Sequence, residues 1–189
     1  MSNADTQAVG DYVEQTIFRE VIGRFASGVT VITTRLDEQD FGTTASAMSS
    51  LSMDPPMLLV CLNRTSETRR AISDAGRFAV NILAGGQSEV AYAFARKSPD
   101  KFRDFPMVRG NHDIPLIPGS LATLECRVED TATGGTHTVF MGTVSRAEAR
   151  QGEPLTYFRG RFGRFEDTLQ DAEYRRMRGL VINRDLLKG

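Results

Sequence analysis

The sequence predicts a mainly β domain in which antiparallel strands close, or nearly close, into a barrel with short helices between them. Three observations carry that expectation. β-Branched or apolar runs recur at 29–34, 57–62, 78–83, 121–128 and 137–144. Turn residues separate them, Gly134-Gly135 most clearly. No Gly-x-Gly-x-x-Gly follows any of these runs, so a doubly wound dinucleotide fold has no support.

Taken in order, residues 1–14 read as a flexible N-terminus. Residues 15–26 read as a helix, with Ile17, Phe18, Val21, Ile22 and Phe25 on one face and Gly28 as its stop. Residues 29–34 are β-branched throughout and form a strand. Residues 36–39 are polar enough for a hairpin tip. A partly irregular strand follows, then the apolar run 57–62, expected to be covered on both faces. A short helix begins at Ser66, with Ser66 or Thr65 as its cap and Gly76 at its C-terminal end. Residues 78–83 form a strand and 88–95 a helix facing inward through Val90, Ala91, Phe94 and Ala95. Residues 99–120 are proline-punctuated and loop-like. In 121–128, Ala122, Leu124, Cys126 and Val128 alternate with Thr123, Glu125 and Arg127, which reads as a half-buried strand. Residues 137–144 return as its hairpin partner. Residues 167–189 read as a charged, helical C-terminal extension that ends in apolar residues at 180–182 and 186–187.

At 189 residues the chain is most simply one domain, placed at 15–166. A formal charge of −1 gives no long-range attraction to nucleic acid or an anionic membrane. No apolar run approaches the ~20 residues a membrane span needs. The N-terminus lacks the apolar core of a signal peptide. Cys61 and Cys126 lie in strand-like runs and read as buried free thiols, which fits a cytoplasmic protein. Only two histidines are present, His112 and His137, so a histidine-based metal site is not expected. His112 reads as part of a solvated turn.

Four stretches carry chemistry. Residues 41–56 open with thirteen uncharged, mostly small and often hydroxylated residues before Asp54-Pro55-Pro56. Small side chains let a flat ligand lie against the backbone, and hydroxyls and peptide N–H groups can bond its polar edge. A plain Ser/Thr-rich turn between strands would read the same way. Residues 63–70, Asn-Arg-Thr-Ser-Glu-Thr-Arg-Arg, open a helix, where free N–H groups and the positive dipole end suit a phosphate. Helix capping with solvated arginines is the simpler alternative. Residues 134–144 place His137 at the start of a strand after two glycines. Residues 154–163 interleave Tyr157, Phe158 and Phe162 with Arg159 and Arg161. The sequence holds no nucleophile elbow, P-loop or His-Glu-x-x-His.

Taken in order along the chain, these stretches resemble the short-chain flavin reductases, the NAD(P)H-dependent components of two-component flavin monooxygenases. The resemblance runs from about residue 17 to 165. It begins at Phe18-Arg19 and continues through Gly23, Phe25-Ala26 and Gly28-Val29-Thr30-Val31. It takes in residues 42–56, the run 78–83 and Lys101-Phe102, and closes at Tyr157-Phe158-Arg159-Gly160. Gly135-Thr136-His137 stands where the family carries Gly-Asp-His, so the acid before the histidine is missing.

The resemblance implies an FMN-binding split barrel with Greek-key-like antiparallel strands. It implies a homodimer that holds flavin and nicotinamide nucleotide in a cleft near the interface and serves a flavin-dependent monooxygenase. FAD is the expected flavin, with FMN the alternative. NADH is the expected reductant, with NADPH the alternative. Thr43, Thr44, Ala45, Ser46, Ala47, Ser49 and Ser50 would cradle the isoalloxazine and ribityl. Asn63, Arg64, Ser66 and Thr68 would hold the phosphate, and Cys61, Phe94, Lys101 and Phe102 would complete the flavin site. His137, Tyr157, Gly160 and Arg161 would meet the nicotinamide nucleotide. No catalytic acid or base and no metal ligand is expected, and no cysteine or histidine is placed to tether the flavin covalently. A flavin-tethering oxidase of the same fold, such as a pyridoxamine-phosphate oxidase, and a non-catalytic flavin-binding module are the alternatives.

Overall fold

The computed structural model describes residues 12–98 and 100–166. Helix α1 (Gln15–Ile22) leads into β1 (Ser27–Gly28), β2 (Thr30–Leu36), β3 (Gln39–Ala45), β4 (Met48–Met53) and β5 (Pro56–Asn63). Helix α2 (Glu67–Ala75), β6 (Arg77–Ile82), α3 (Ser88–Ala95) and α4 (Lys101–Asp104) follow. The short strands β7 (Val108–Arg109) and β8 (Pro115–Leu116) flank a 3-10 turn at Asn111–Asp113. The long hairpin β9 (Ala122–Gly134) and β10 (His137–Ala149), then β11 (Leu155–Phe158) and β12 (Arg161–Arg164), complete the described chain.

Seven strands form one ladder in the order β3-β2-β6-β9-β10-β5-β4, every pairing antiparallel. Its two edge strands, β3 and β4, are consecutive in the chain and separated only by Ser46 and Ala47. From Ala45 to Met48 the chain takes three Cα steps and reaches at most ~11 Å. The sheet must therefore curl until its edges nearly meet. Cys61 N donates to Ala47 O at 3.0 Å, which extends the β4–β5 ladder by one step into that connection. Helix α2 carries the chain from β5 back to β6 on the far side of β2, a Greek-key crossing. This is the split barrel that the sequence led us to expect.

Inside the barrel, Ile32, Leu58, Val60, Leu62, Phe78, Val80, Cys126 and Phe140 pack with Ile72 of α2. A second cluster gathers Val29, Val31, Leu83, Val90, Ala91, Phe94, Ile117 and Leu155. It seats α3 and the small sheet β1-β11-β12 against the barrel's outer face. Val29 N donates to Leu155 O at 3.2 Å and Leu155 N to Leu83 O at 2.9 Å, which ties the two sheets together.

The local signals hold in detail. Ser66 caps α2, its hydroxyl accepting from Arg69 N, and Gly76 ends the helix at φ 67. Asp37 and Glu38 make the β2–β3 turn with positive φ at both positions, and Gly135 begins the β9–β10 turn at φ 55. His112 is exposed within the 3-10 turn at φ 55, as a solvated turn requires.

Four expectations need correction. Helix α1 stops at Ile22 with Gly23 as its cap, and none of its residues is buried. Ile17, Phe18, Val21, Ile22 and Phe25 are all more than half exposed. Their periodicity was a true amphipathic signal, but this chain's own core does not receive them. The run 57–62 is not covered on both faces: Leu58, Val60 and Leu62 point into the barrel, while Met57, Leu59 and Cys61 are half-buried. The stretch 99–120 contains α4 and the β7–β8 pair, neither of which has enough length for periodicity to reveal it. Glu125, expected to face solvent, is 3% exposed. Its carboxylate accepts from Asn111 N at 2.7 Å and lies against Gly110, where a Cβ would come within 2.9 Å of it. The readings for 1–14 and 167–189 fall largely or wholly outside the described residues.

Candidate functional site

Two cavities meet at the barrel seam. The smaller, about 270 Å³, is walled by Thr43, Thr44, Ala45, Ser46 and Ala47 on one side, and by Cys61, Leu62, Asn63, Ser66 and His137 on the other. The larger, about 580 Å³, is walled by residues 39–43 of β3, by Asn63 and residues 65–68 at the start of α2, by Ala95 at the end of α3 with residues 96–98 after it, and by Lys101 and Phe102 of α4. Thr43, Asn63 and Ser66 belong to both walls, so the two form one angled cleft.

Hydrogen bonding shapes the seam from behind. Thr30 Oγ1 donates to Ala45 O at 2.6 Å, and Thr44 Oγ1 donates to Ala91 O at 2.7 Å. Met48 N donates to Ser46 O at 3.1 Å, which turns the chain sharply between the edge strands. Thr44 is therefore anchored to α3, and the cavity wall it belongs to is otherwise made of small side chains. At the crossing point, Asn63 Oδ1 accepts from Thr65 N at 2.9 Å and from Thr65 Oγ1 at 2.8 Å, which rigidifies the approach to α2. His137 opens β10 opposite Asn63, and its Nδ1 is 3.0 Å from Thr136 Oγ1.

The larger cavity is electrostatically mixed. Asp40 and Glu67 supply carboxylates, and Arg96, Lys97 and Lys101 supply cations. Lys101 Nζ donates to Gly42 O at 2.7 Å and sits 5.6 Å from the Phe94 ring centroid. Burial pushes its pKa down, and the nearby Glu67 carboxylate opposes that shift. Beneath it, Phe94 and Phe102 meet edge to face at 5.1 Å. A Cβ on Gly42 would lie 2.9 Å from two Phe94 ring atoms, so only glycine lets the strand pack this closely on α3 and α4.

Most of the residues singled out in the sequence line this cleft: residues 43–47, Cys61, Asn63, Ser66, Thr68, Lys101, Phe102 and His137. Phe94 lies just behind the wall, 1% exposed. Ser49, Ser50 and Arg64 are exposed near the cleft but are not part of its walls. Tyr157, Gly160 and Arg161 sit on the outer sheet, where Tyr157 packs 5.7 Å from Phe162, and they do not line either cavity. Cys61 and His137 both line the smaller cavity. Burial raises the Cys61 thiol pKa, which keeps it protonated and weakly nucleophilic. The wall residues Gln39, Asp40, Arg96, Lys97 and Ser98 had no sequence signal beyond a hairpin tip and the polar end of a helix.

A Greek-key barrel with a small-residue seam that opens into a chamber of mixed charge has room for a flat ligand with a polar tail. The chain belongs to the flavin reductase-like domain family, whose model matches residues 22–166. It is 45% identical over 153 residues to the reductase component of a 4-nitrophenol 4-monooxygenase/4-nitrocatechol 2-monooxygenase from Rhodococcus opacus, covering 81% of this chain and 82% of that one. It is 37% identical to an NADH-dependent flavin reductase from a Rhodococcus species, covering 78% and 85%. The NADH:FAD oxidoreductase of Streptomyces globisporus, solved with NAD and FAD fragments, superposes with a TM-score of 0.79 at 34% identity, covering 83% and 96%.

Proposed function

We propose that this protein is an NADH-dependent flavin reductase that reduces FAD or FMN and supplies the reduced flavin to a partner monooxygenase. The observation that carries the reading is the angled cleft itself: a wall of small residues at 43–47 faces His137, and the cleft runs past Ser66 at the α2 N-terminus into a chamber where Arg96, Lys97 and Lys101 outnumber Asp40 and Glu67. A flat ring fits against the small residues, and a phosphate fits at Ser66 and Lys101. When bound, the flavin accepts a hydride from reduced nicotinamide and carries the electron pair away. The chain's contribution is placement. Residues 43–47 hold one face of the ring clear of bulky side chains, Thr44 is fixed to α3, and Asn63 holds the turn that presents the phosphate seat. His137 is an orienting hydrogen-bond group for the nicotinamide nucleotide.

The working unit is the barrel at 15–166, with the C-terminal extension as an addition to it. We read the unit as a homodimer. The exposed apolar face of α1 gives a second copy something to cover, and a partner barrel beside the cleft is the route by which Tyr157, Gly160 and Arg161 come to serve the nicotinamide site.

The decisive experiment follows NADH oxidation with FAD, FMN and riboflavin added in turn. Turnover in proportion to free flavin is expected. A protein that keeps one flavin through turnover would be an oxidase of the tethering kind, and one that binds flavin without oxidising NADH would be a binding module.

A further inference from the structure

We propose that Thr136 is a positioning residue: its hydroxyl donates to Nδ1 of His137 and holds the neutral ring as the Nε2–H tautomer. His137 is thereby a hydrogen-bond donor to an acceptor oxygen of the reduced nicotinamide nucleotide. The choice of ligand rests on the flavin reductase reading above, whereas the tautomer rests on the β9–β10 turn alone. Thr136 is held from behind. Gly135 takes φ 55, and Arg64 N donates to Thr136 O at 2.9 Å. His137 then begins β10 with Asn63 of β5 on one side and Gly134 of β9 on the other. The backbone under both residues is fixed on both flanks, and Thr136 Oγ1 comes to 3.0 Å from His137 Nδ1.

Among the described residues, Thr136 is the one hydrogen-bond partner of the His137 ring. No carboxylate lines the smaller cavity. Asn63, across the ladder, has its amide oxygen taken by Thr65 N and Thr65 Oγ1. A carboxylate beside Nδ1 would be acceptor-only and would keep a proton on that nitrogen. A hydroxyl can donate instead, and the nitrogen that receives its proton is the bare one. An imidazole side chain already favours its proton on Nε2, so the hydroxyl and the ring's own preference agree. Nε2 lies across the ring from Nδ1 and is the nitrogen left for a ligand in the cavity that His137 lines. A donor there bonds a carbonyl or phosphate oxygen and offers nothing to an amino group. Thr136 itself is exposed, so changing its side chain opens no void in the core.

The test begins with the ring itself, read by proton–nitrogen correlation NMR of the full-length protein carrying isotope-labelled histidine. His112 and His137 are the chain's two histidines, so the spectrum of His137→Ala assigns both. At about pH 8, where an ordinary imidazole is neutral, the wild type should show His137 with Nε2 protonated and Nδ1 bare. Thr136→Asp should protonate Nδ1, Thr136→Val should leave the two tautomers mixed, and His112 should change in neither. Steady-state kinetics read the consequence. Thr136→Val should raise the KM for NADH about threefold to tenfold, as the loss of one well-placed hydrogen bond does, with kcat little changed. Thr136→Ser, which keeps the hydroxyl, should behave as the wild type. Thr136→Val made in the His137→Ala protein should add nothing, since the threonine acts only through the ring. A protonated Nδ1 in the wild type would overturn the proposal, as would a His137 signature indifferent to residue 136. So would a Thr136→Val penalty that adds to that of His137→Ala, or one that Thr136→Ser shares. The reductase reading fails separately: NADH oxidation at background with every flavin would remove the ligand, while the tautomer experiment, which needs no turnover, would still decide the role of Thr136.

Discussion

Arg109 clasps Asp40 through both terminal nitrogens, Nη1 to Oδ1 and Nη2 to Oδ2, each at 2.8 Å. The two residues are 69 positions apart. Arg35 Nη1 donates to the same Oδ1 at 2.7 Å, and Arg109 Nη1 also donates to Asp113 O at 3.0 Å. The β7–β8 excursion is thus bolted to the first residues of β3, which wall the chamber. Buried Glu125 holds the other side of that excursion through Asn111 N.

Asp40→Asn keeps the size of this residue and removes the charge that two guanidiniums share. Hydrogen bonds to charged groups are worth ~1.5–3 kcal/mol, and Asp40 is only 12% exposed. The expected result is a loss of about 2 kcal/mol in urea unfolding, with a weaker grip on FAD than on riboflavin. An unchanged midpoint would mean that the bidentate contact adds nothing to the fold.

Gly42→Ala tests the contact between the seam strand and the aromatic pair behind it. The new methyl would meet Phe94 at 2.9 Å and Phe102 at 3.1 Å, and Phe94 has no free space to yield. Overpacking of this kind costs ~1–3 kcal/mol, and the strand that accepts from Lys101 must shift. Thermal stability should fall and flavin affinity should fall with it. Gly28→Ala is the control, since a Cβ there meets nothing within 4 Å. Equal effects at both positions would mean that close packing at Gly42 is not the cause.

His137→Ala should raise the KM for NADH tenfold or more, while the Kd for flavin changes little. One lost hydrogen bond of ~1–3 kcal/mol accounts for a shift of that size. Steady-state kinetics separate the outcomes. A fall in kcat with a new pH dependence would make His137 a proton donor or acceptor instead.

Much of the fold was legible because its signals are local. Ser66 and Gly76 bracket α2 by chemistry that involves only neighbouring residues. The alternation in β9 is a consequence of pleating. The uncharged run 41–53 stood out as well, although a plain Ser/Thr-rich turn would read the same way. What the sequence does not show depends on distant partners. Glu125 reads as an outward-facing strand residue until Asn111 N is brought to it from 14 positions away. Asp40, just past the hairpin tip expected at 36–39, carries no signal of its own until Arg109 arrives. Arg96 and Lys97 carry no periodicity, and only the curl of the barrel places them on a cavity. The α1 face is apolar at helical spacing, yet spacing alone does not say whose surface will cover it.

Cys126 makes stability depend on alkaline pH. The thiol is 2% exposed, on β9 between Phe78 of β6 and Val144 of β10. Burial, assisted by the neighbouring Glu125 charge, pushes its pKa from 9.0 up to about 12. The unfolded chain therefore releases this proton near pH 9, and the folded chain keeps it until about pH 12. Below pH 9 both states are protonated and the contribution to stability is complete. Between the two values the unfolded state gains from ionising and the folded state does not, so stability is lost as pH rises, at a limiting slope of about 1.4 kcal/mol per pH unit. Burial raises Cys61 too, which adds in the same direction. Lysines and tyrosines titrate in this window, so the informative quantity is the difference between wild type and Cys126→Ala. In urea unfolding at pH 7.5, 9.5 and 10.5, the variant should start less stable, because the removed sulfur leaves a small void. It should then lose less stability with pH, and the gap should narrow by about 1 kcal/mol or more by pH 10.5. Parallel pH profiles for the two proteins would show that Cys126 ionises as readily in the fold as outside it.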